Sequence, residues 1–240
     1  MKNYKLSIIV PVYNQEEYIY RNLHEALKVF SQTFPDFEII LVDDGSTDKT
    51  VSEAKLVKDK RIRIVGYREN RGKGHALKYG FRFVKGNVVT FMDADLDINP
   101  NSLLGFFPYL SYGDIVIGSK RHSLSNVNYP LKRRILSYFY HLFVDLLFNL
   151  DVTDTQSGMK LIKYDCLKRI LPKVLVKRYA FDLELLVNAH KLGYKISEAP
   201  INLKYNWNGS GVNRSAIKGI FIDTLAIAYR LYILRYYDRK

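Results

Sequence analysis

Short apolar runs and longer amphipathic segments alternate along the first half of the chain. Runs rich in β-branched and aromatic residues, which are typical of buried strands, occupy residues 6–10, 37–42, 61–66, 87–92 and 114–118. Segments with helical periodicity lie between them, at about 16–31, 48–58, 73–84 and 100–110. This alternation predicts an α/β fold with a doubly wound, mostly parallel sheet, which binds its ligands at the carboxyl ends of the strands.

The second half of the chain contains two segments that are unusually apolar and aromatic, residues 135–150 and 219–237. The first is about 16 residues long, shorter than the ~20 residues that span a bilayer. Lys218, Arg230 and Arg235 flank or interrupt the second segment. We expect two amphipathic helices that lie in a membrane interface beside anionic headgroups. Core helices or a dimer contact are the alternatives.

The charge of the protein is concentrated in its second half. The 240-residue chain carries a formal net charge of +13. Residues 1–116 hold 16 Lys and Arg against 15 Asp and Glu, for +1, and residues 117–240 hold 21 against 9, for +12. This asymmetry indicates an anionic partner, namely nucleic acid, acidic lipid or a phosphorylated substrate, unless the surface is merely solvated. Cys166 is the single cysteine, which excludes an intramolecular disulfide.

Asp93 and Asp95 directly follow the predicted strand at residues 87–92. If the extended backbone continues through them, their side chains share one face of the strand. Carboxylate oxygens suit Mg²⁺ or Mn²⁺, which in turn hold phosphate oxygens. The alternative is a polar turn in which Asp97 or Asn99 caps the following helix.

Polar segments also follow the first three predicted strands, at residues 11–14 (PVYN), 42–46 (VDDGS) and 70–74 (NRGKG). Tyr13 and Asn14 offer a ring and an amide to a flat ligand. Asp43 and Asp44 are placed to accept hydrogen bonds from a base or a ribose. Lys73, between two glycines at a helix start, favours a phosphate.

In this order, the four segments resemble the family-2 inverting glycosyltransferases of GT-A fold, a Rossmann-like architecture. Residues 118–121 (GSKR), 154–161 (DTQSGMKL) and 181–186 (FDLELL) resemble the dolichyl-phosphate β-glucosyltransferase and mannosyltransferase group, and the DTQSG string is nearer the glucosyl branch. The resemblance covers roughly residues 5–205. It implies a nucleotide-sugar-binding half at 1–118, an acceptor-binding half at 119–212 and a C-terminal amphipathic helix at 213–240.

The resemblance also implies roles for individual residues. Asp93, Asp95 and Asp97 would hold the Mg²⁺ or Mn²⁺ ion. The nucleotide sugar would be bound by Pro11, Tyr13, Asn14, Asp43, Asp44, Gly72, Lys73, Asp93 and Ala94. The acceptor phosphate would be bound by Arg121, Arg133 and Arg134, whose forked donors match phosphate oxygens. Catalysis would depend on Asp95, Asp154 and Asp182, of which the last two could orient the acceptor or the sugar hydroxyls.

The expected function is transfer of a hexose, with glucose favoured, from UDP-glucose or GDP-mannose to a polyprenyl phosphate. We expect a cytoplasmic protein, peripheral on the inner face of the membrane, with residues 205–211 as a flap over the site or as a plain loop. One alternative is an enzyme of the same fold that acts on a polysaccharide or another lipid. A basic nucleic-acid-binding protein is a remote alternative, because no nucleic-acid motif occurs. The oligomeric state stays open.

Overall fold

A central sheet of seven strands organises the molecule. The computed structural model describes residues 4–96, 98–127, 131–203 and 214–238. Its strands are β1 (Leu6–Val12), β2 (Phe37–Asp44), β3 (Ile62–Tyr67), β4 (Val88–Phe91), β5 (Ile115–Ser119), β6 (Asn126–Val127), β7 (Lys160–Lys163), β8 (Ile196–Pro200) and β9 (Asn202–Leu203). The large sheet has the order β3-β2-β1-β4-β7-β5-β8, and β6 pairs separately with β9.

The sheet is parallel except at β7. This strand is antiparallel to both of its neighbours, β4 and β5. The predicted α/β fold with a mostly parallel sheet is therefore confirmed, and the five predicted strands are present with ends shifted by one or two residues. Because β7 runs in the opposite direction, its first residue, Lys160, lies opposite Phe91 at the carboxyl end of β4. The chain just before β7 thereby reaches the edge of the sheet where parallel strands end.

Within the described ranges, seven α-helices flank the sheet: α1 (Ile19–Thr33), α2 (Thr50–Ala54), α3 (Lys73–Phe81), α4 (Leu131–Phe148), α5 (Tyr164–Ile170), α6 (Phe181–Lys191) and α7 (Arg214–Tyr232). The prediction of a helix over residues 48–58 is wrong in length, because only the five residues of α2, Thr50–Ala54, are α-helical. The segment predicted at 100–110 is the 3-10 helix Pro100–Ser111, which the Asn99 side chain caps. Pro108 inside that segment lacks the N–H that a regular helix needs.

The core has two layers, one on each face of the sheet. One layer contains residues of α1 and of the 3-10 helix Pro100–Ser111, and the other contains residues of α3 to α7. In the second layer Phe221 of α7 packs against Tyr140 and Phe143 of α4. The two apolar segments of the sequence are thus neighbouring helices. No helix of the described ranges is long and apolar enough to cross a membrane.

Candidate functional site

A cleft of about 510 Å³ opens at the carboxyl edge of the parallel strands. It contains seven of the site residues predicted from the sequence: Pro11, Tyr13, Asp44, Gly72, Lys73, Asp93 and Asp182. The remaining described residues of its wall are Val12, Asn70, Gln156, Gly158, Arg178, Tyr179 and Ile220. Residues that are more than 200 positions apart in the chain therefore share one cleft.

Lys73 and Asp93 form an ion pair on the wall of the cleft, and their side chains remain 35% and 37% exposed. Lys73 is the first residue of α3, and Asp93 lies two residues after β4. Burial opposes the charge on Lys73, but the carboxylates of Asp93, Asp182 and Asp95 raise the pKa of its ammonium group. For Asp93, burial is likewise outweighed by Lys73, which lowers the pKa of the carboxyl group. Both groups are charged at neutral pH.

The backbone turns after Asp93. Strand β4 ends at Phe91, the N–H of Leu96 donates to the carbonyl oxygen of Asp93 at 3.3 Å, and Leu96 has a positive φ of 56°. The expectation that Asp93 and Asp95 share a face through extended backbone is therefore wrong. Asp93 faces the cleft and Asp95 is exposed on the same turn.

Gly158 has no side chain, and the Asp93 carboxylate occupies the space where a Cβ atom of residue 158 would lie. A Cβ atom at residue 158 would lie 2.1 Å from Asp93 Oδ2, well inside any real contact distance. Gly158 belongs to the DTQSG string, which leads into β7. Any side chain at residue 158 would therefore force the Asp93 carboxylate out of its present position.

Asp44 is buried and accepts four hydrogen bonds inside the protein. The donors are Tyr67 Oη (2.6 Å), Asn70 Nδ2 (3.1 Å), Arg71 N (2.8 Å) and Gly72 N (2.9 Å). Four bonds occupy the lone pairs of a carboxylate. We therefore correct the expectation that Asp44 accepts hydrogen bonds from a ligand: it holds the loop at residues 70–72, where Gly72 has φ 92°.

Three other predicted binding residues also make contacts within the protein. The Asp43 carboxylate accepts from Ser46 N at 3.0 Å, and Asn14 Oδ1 accepts from Thr47 N at 2.9 Å. The carbonyl oxygen of Ala94 accepts from Asn22 Nδ2 at 2.9 Å. None of the three contributes to the described part of the cleft wall. They fix the loops around it.

The predicted acidic residues of the second half lie in two lysine–carboxylate pairs. Asp182 Oδ1 lies 2.8 Å from Lys160 Nζ, and Asp154 Oδ2 lies 2.7 Å from Lys120 Nζ. Asp154 also accepts from the backbone N–H of Gln156 at 3.1 Å. Burial opposes ionisation of Asp154, but the charge of Lys120 and these hydrogen bonds lower the pKa of its carboxyl group. Asp182 lines the cleft, whereas Asp154 supports Gln156, which does.

Of the predicted acceptor-phosphate residues, Arg121 and Arg134 are not part of the described cleft wall. The guanidinium group of Arg121 donates to the carbonyl oxygen of Ser137 at 2.9 Å and lies over the Tyr138 ring. Arg134 is exposed on α4. Asp97, residues 205–211 and the side chain of Arg133 fall outside the described part of the protein.

Seven cleft residues received no individual role from the sequence: Gln156, Gly158, Val12, Asn70, Arg178, Tyr179 and Ile220. The DTQSG string was a signal for the first two. Arg178 and Tyr179 precede α6 and carry no periodic pattern, and Ile220 reaches the cleft only because α7 packs beside it.

The carboxylates of Asp93, on the cleft wall, and of Asp95, on the same turn, fit a hard divalent cation. Asp93 and Asp95 supply carboxylate oxygens on one turn, and Asp93 already holds the ammonium group of Lys73. The described residues contain no group of three or more His, Cys, Asp or Glu that could hold a metal. Mg²⁺ is commonly held by one or two carboxylates together with substrate phosphates and water, so two carboxylates match that mode of binding.

Comparison with known proteins identifies a family and several named relatives of this chain. A model of the family "Glycosyl transferase family 2" matches residues 7–171. Proteins named dolichyl-phosphate beta-glucosyltransferase from Dictyostelium discoideum and Drosophila melanogaster are each 34% identical, over 83% and 82% of this chain. The chain spans 66% of the length of each of them, slightly less than two thirds. The Saccharomyces cerevisiae protein of that name is 28% identical over 96% of this chain and 74% of its own length.

Solved structures show the same architecture. A glucosyl-3-phosphoglycerate synthase from Mycobacterium tuberculosis, in complex with Mn²⁺, uridine diphosphate and phosphoglyceric acid, superposes with a TM-score of 0.70. The match covers 95% of this chain and 78% of that one, at 18% sequence identity. At this identity the likeness concerns the fold.

Proposed function

The chain belongs to glycosyl transferase family 2 and has the GT-A fold, and from that membership we propose that it transfers glucose from a nucleotide sugar to a polyprenyl phosphate such as dolichyl phosphate. The observation that carries the proposal is the cleft, which joins Tyr13, Lys73, Asp93 and Asp182 at one edge of the sheet. The names of the relatives support glucose as the sugar and dolichyl phosphate as the acceptor.

The donor occupies the side of the cleft formed by β1 and α3. The ring of Tyr13, 43% exposed, stacks on the base. Gly72 and Lys73 bring the N-terminus of α3 to the diphosphate, since helix N-termini favour anions. Asp93 and Asp95 would hold Mg²⁺ or Mn²⁺, and the ion would supply positive charge to offset that of the leaving nucleoside diphosphate.

Transfer to a phosphate does not require the protein to remove a proton from the acceptor. An oxygen of the acceptor phosphate attacks the anomeric carbon while the bond from that carbon to the diphosphate breaks, and the diphosphate leaves with the electron pair. Because a phosphate is already anionic at neutral pH, orientation matters more than removal of a proton. Asp182 lines the cleft and orients the sugar. Asp154 acts indirectly, because it accepts a hydrogen bond from the backbone N–H of Gln156, which lines the cleft.

The acceptor approaches from α4 and α7. Arg121, Arg133 and Arg134 lie at or before the start of α4 and attract its phosphate, in what we assign as the acceptor-binding half, residues 119–212. The exposed large apolar residues of the two helices are Ile135, Tyr138, Phe139, Leu142 and Leu146 on α4 and Ile222, Leu225, Tyr229 and Tyr232 on α7. We call these nine residues the apolar face. It rests on the inner leaflet of a membrane, which makes the protein peripheral and brings a lipid-borne acceptor to the cleft.

A transfer assay tests the function. Purified protein is incubated with polyprenyl phosphate in detergent, Mg²⁺ or Mn²⁺, and either UDP-glucose, GDP-mannose or UDP-N-acetylglucosamine, and the lipid is analysed by mass spectrometry. We expect a lipid-phosphate hexose with UDP-glucose, and we expect its loss when a chelator is added. Asp95→Asn abolishes this product if the metal site is as proposed.

Other outcomes identify the alternatives. Consumption of a nucleotide sugar only in the presence of glycans or other lipids would retain glycosyl transfer and reject the polyprenyl phosphate. Product from GDP-mannose alone would retain the acceptor and reject glucose. Lack of turnover with every donor and acceptor would contradict the proposal.

A further inference from the structure

Lys160 has a fully buried side chain, 0% exposed, although it carries an ammonium group. Its Nζ lies 2.8 Å from Asp182 Oδ1 and also donates to the carbonyl oxygen of Ser157. Burying an ammonium group costs several kcal/mol unless it is paired and hydrogen-bonded. Burial lowers the pKa of Lys160, and the carboxylate of Asp182 opposes that shift. The buried lysine thus depends on Asp182.

Both partners sit on rigid elements. Lys160 is the first residue of β7, which pairs with β4 on one side and β5 on the other, so strands hold it on both flanks. Asp182 is in the first turn of α6, where the helix dipole favours a carboxylate. A contact between a central strand and a helix start leaves the Asp182 side chain little freedom.

The pair leaves one carboxylate oxygen available. Lys160 contacts Oδ1 of Asp182, and no described residue donates a hydrogen bond to Oδ2. Asp182 lines the cleft together with Lys73 and Asp93, and its side chain is 11% exposed. The Asp182 carboxylate is therefore held through Oδ1 by Lys160, while the residue itself lines the cleft.

We propose that Lys160 is a positioning residue, which fixes Asp182 so that Oδ2 accepts a hydrogen bond from a hydroxyl group of the transferred sugar. This inference rests on the proposed function. Lys160 itself touches no substrate, since its side chain has no exposed area. A sugar hydroxyl is a donor, and a carboxylate held by an ammonium group on its far side is an acceptor of fixed direction.

A double-mutant cycle separates positioning from a merely structural role. The wild type, Lys160→Met, Asp182→Asn and the double variant are compared in the transfer assay. We expect Lys160→Met to lower kcat roughly 10- to 100-fold, as displacement of a positioned group does. We expect the KM for the nucleotide sugar to change less than about 3-fold, because the nucleotide binds at the other side of the cleft. The double variant should match Asp182→Asn within about 3-fold, because Lys160 acts only through Asp182.

Lys163→Met is the matched control. Lys163 lies on the same strand and pairs with Asp114 at 3.0 Å, but its side chain is 44% exposed and is not part of the described cleft wall. Its kcat should stay within about 2-fold of the wild type. If Lys160→Met does not fold, the double variant, in which no buried charge is left unpaired, carries the comparison with Asp182→Asn.

Two results would overturn the inference. One is a double variant in which the two losses multiply, and the other is a loss in Lys163→Met as large as that in Lys160→Met. A wild-type protein that transfers no sugar would instead contradict the proposed function, and the inference with it, before any variant is compared.

Discussion

At the scale of single residues, the position of Asp93 depends on the absence of a side chain at residue 158. Gly158 leaves the space that Asp93 Oδ2 occupies, whereas a methyl group there would lie 2.1 Å from this oxygen. Because the obstructed atom is the end of a side chain, the carboxylate can rotate away without unfolding the strand. The cost of a side chain at residue 158 is therefore expected in binding and turnover more than in stability.

Gly158→Ala tests this expectation. We expect the transfer rate to fall roughly 100-fold, as misplacement of a catalytic group by about 1 Å does, with a melting temperature close to that of the wild type. Gly105→Ala is the control, because a Cβ at residue 105 meets nothing within 4 Å. The transfer assay and a thermal melt of both variants supply the data. Unchanged turnover in Gly158→Ala would remove Asp93 from the reaction.

Asp44 illustrates a residue that shapes the site without facing the ligand. Its four hydrogen bonds hold the loop that carries Gly72. In Asp44→Asn an amide NH₂ replaces one oxygen and faces donors, so buried N–H or O–H groups lose their acceptor. We expect the free energy of unfolding to fall by about 3 kcal/mol and the affinity for the nucleotide to fall with it.

Urea unfolding and calorimetric titration with uridine diphosphate measure the two effects. Asp36→Asn is the comparison variant, since the Asp36 carboxylate is 60% exposed and lies 3.7 Å from Lys5 Nζ. Exposed pairs of this kind contribute under about 1 kcal/mol. Equal stability of the two variants would show that the Asp44 network does not hold the loop.

At the scale of elements, a buried carboxylate connects α6 to the end of the chain. Glu184 has no exposed area and accepts hydrogen bonds from Leu175 N (2.7 Å) and Val176 N (2.6 Å). It also pairs with Arg230 of α7 at 2.9 Å and accepts from the Tyr237 hydroxyl. Burial and the charge of Glu184 raise the pKa of Tyr237. One side chain thus fixes α7 and the loop before α6, which carries Arg178 and Tyr179.

Glu184→Gln should destabilise the protein by about 3 kcal/mol, because it leaves the half-buried guanidinium group of Arg230 without its counter-charge. Glu25→Gln, at an exposed position of α1, should change stability by less than about 0.5 kcal/mol. Urea unfolding of both variants gives the difference. A loss in Glu184→Gln no larger than in Glu25→Gln would mean that the ion pair does not hold α7.

Local pattern explains which elements could be predicted from the sequence. The five strands of the first half are short runs rich in apolar residues, and Tyr13, Lys73 and Asp93 are at the site because each follows a strand, whereas Pro11 lies near the end of β1. Strand β7 was not predicted because its four residues begin and end with lysine, a pattern typical of an exposed segment. Its burial depends on Asp182, which is 22 positions away in sequence, and such a contact leaves no periodic signal.

Contacts between elements distant in sequence also explain why some cleft residues were not predicted. Arg178, Tyr179 and Ile220 reach the cleft through the packing of α6 and α7, so their roles require the tertiary structure. Asp44 was predicted to bind a ligand, but its carboxylate, like the side chains of Asp43 and Asn14, accepts hydrogen bonds from neighbouring loops, which the sequence did not predict. A polar side chain after a strand binds either a ligand or a neighbouring loop, and the sequence does not distinguish the two.

At the scale of the whole molecule, charge and apolar surface lie in the same half. Residues 117–240 carry +12 of the net charge of +13 and also contain the apolar face on α4 and α7. The family and the α/β fold predicted from the sequence are confirmed. Large apolar patches on a protein surface mark interaction sites, and basic residues beside them favour a partner with anionic headgroups.

The membrane proposal therefore makes a prediction about vesicles. The wild type should float with vesicles that contain an anionic lipid and should bind less to vesicles of neutral lipid, because burial of apolar side chains and attraction to headgroups act together. Phe139→Asp combined with Leu146→Asp places two charges on the apolar face, where the wild-type side chains are 62% and 84% exposed. We expect this variant to lose most of its vesicle binding at an unchanged melting temperature.

Leu56→Asp is the matched substitution in the first half, where Leu56 is 57% exposed and outside the apolar face. It should bind vesicles like the wild type, which would show that the loss of vesicle binding depends on the position of the substitution and not on added negative charge.

In detergent, the Phe139→Asp/Leu146→Asp variant should transfer sugar at the wild-type rate, since neither residue lines the described cleft wall. On vesicles that contain the acceptor, its rate should fall together with its binding, because the face serves to bring the cleft to the lipid. Equal binding of both variants, or dimers that dissociate in the double variant, would assign the face to a protein contact instead.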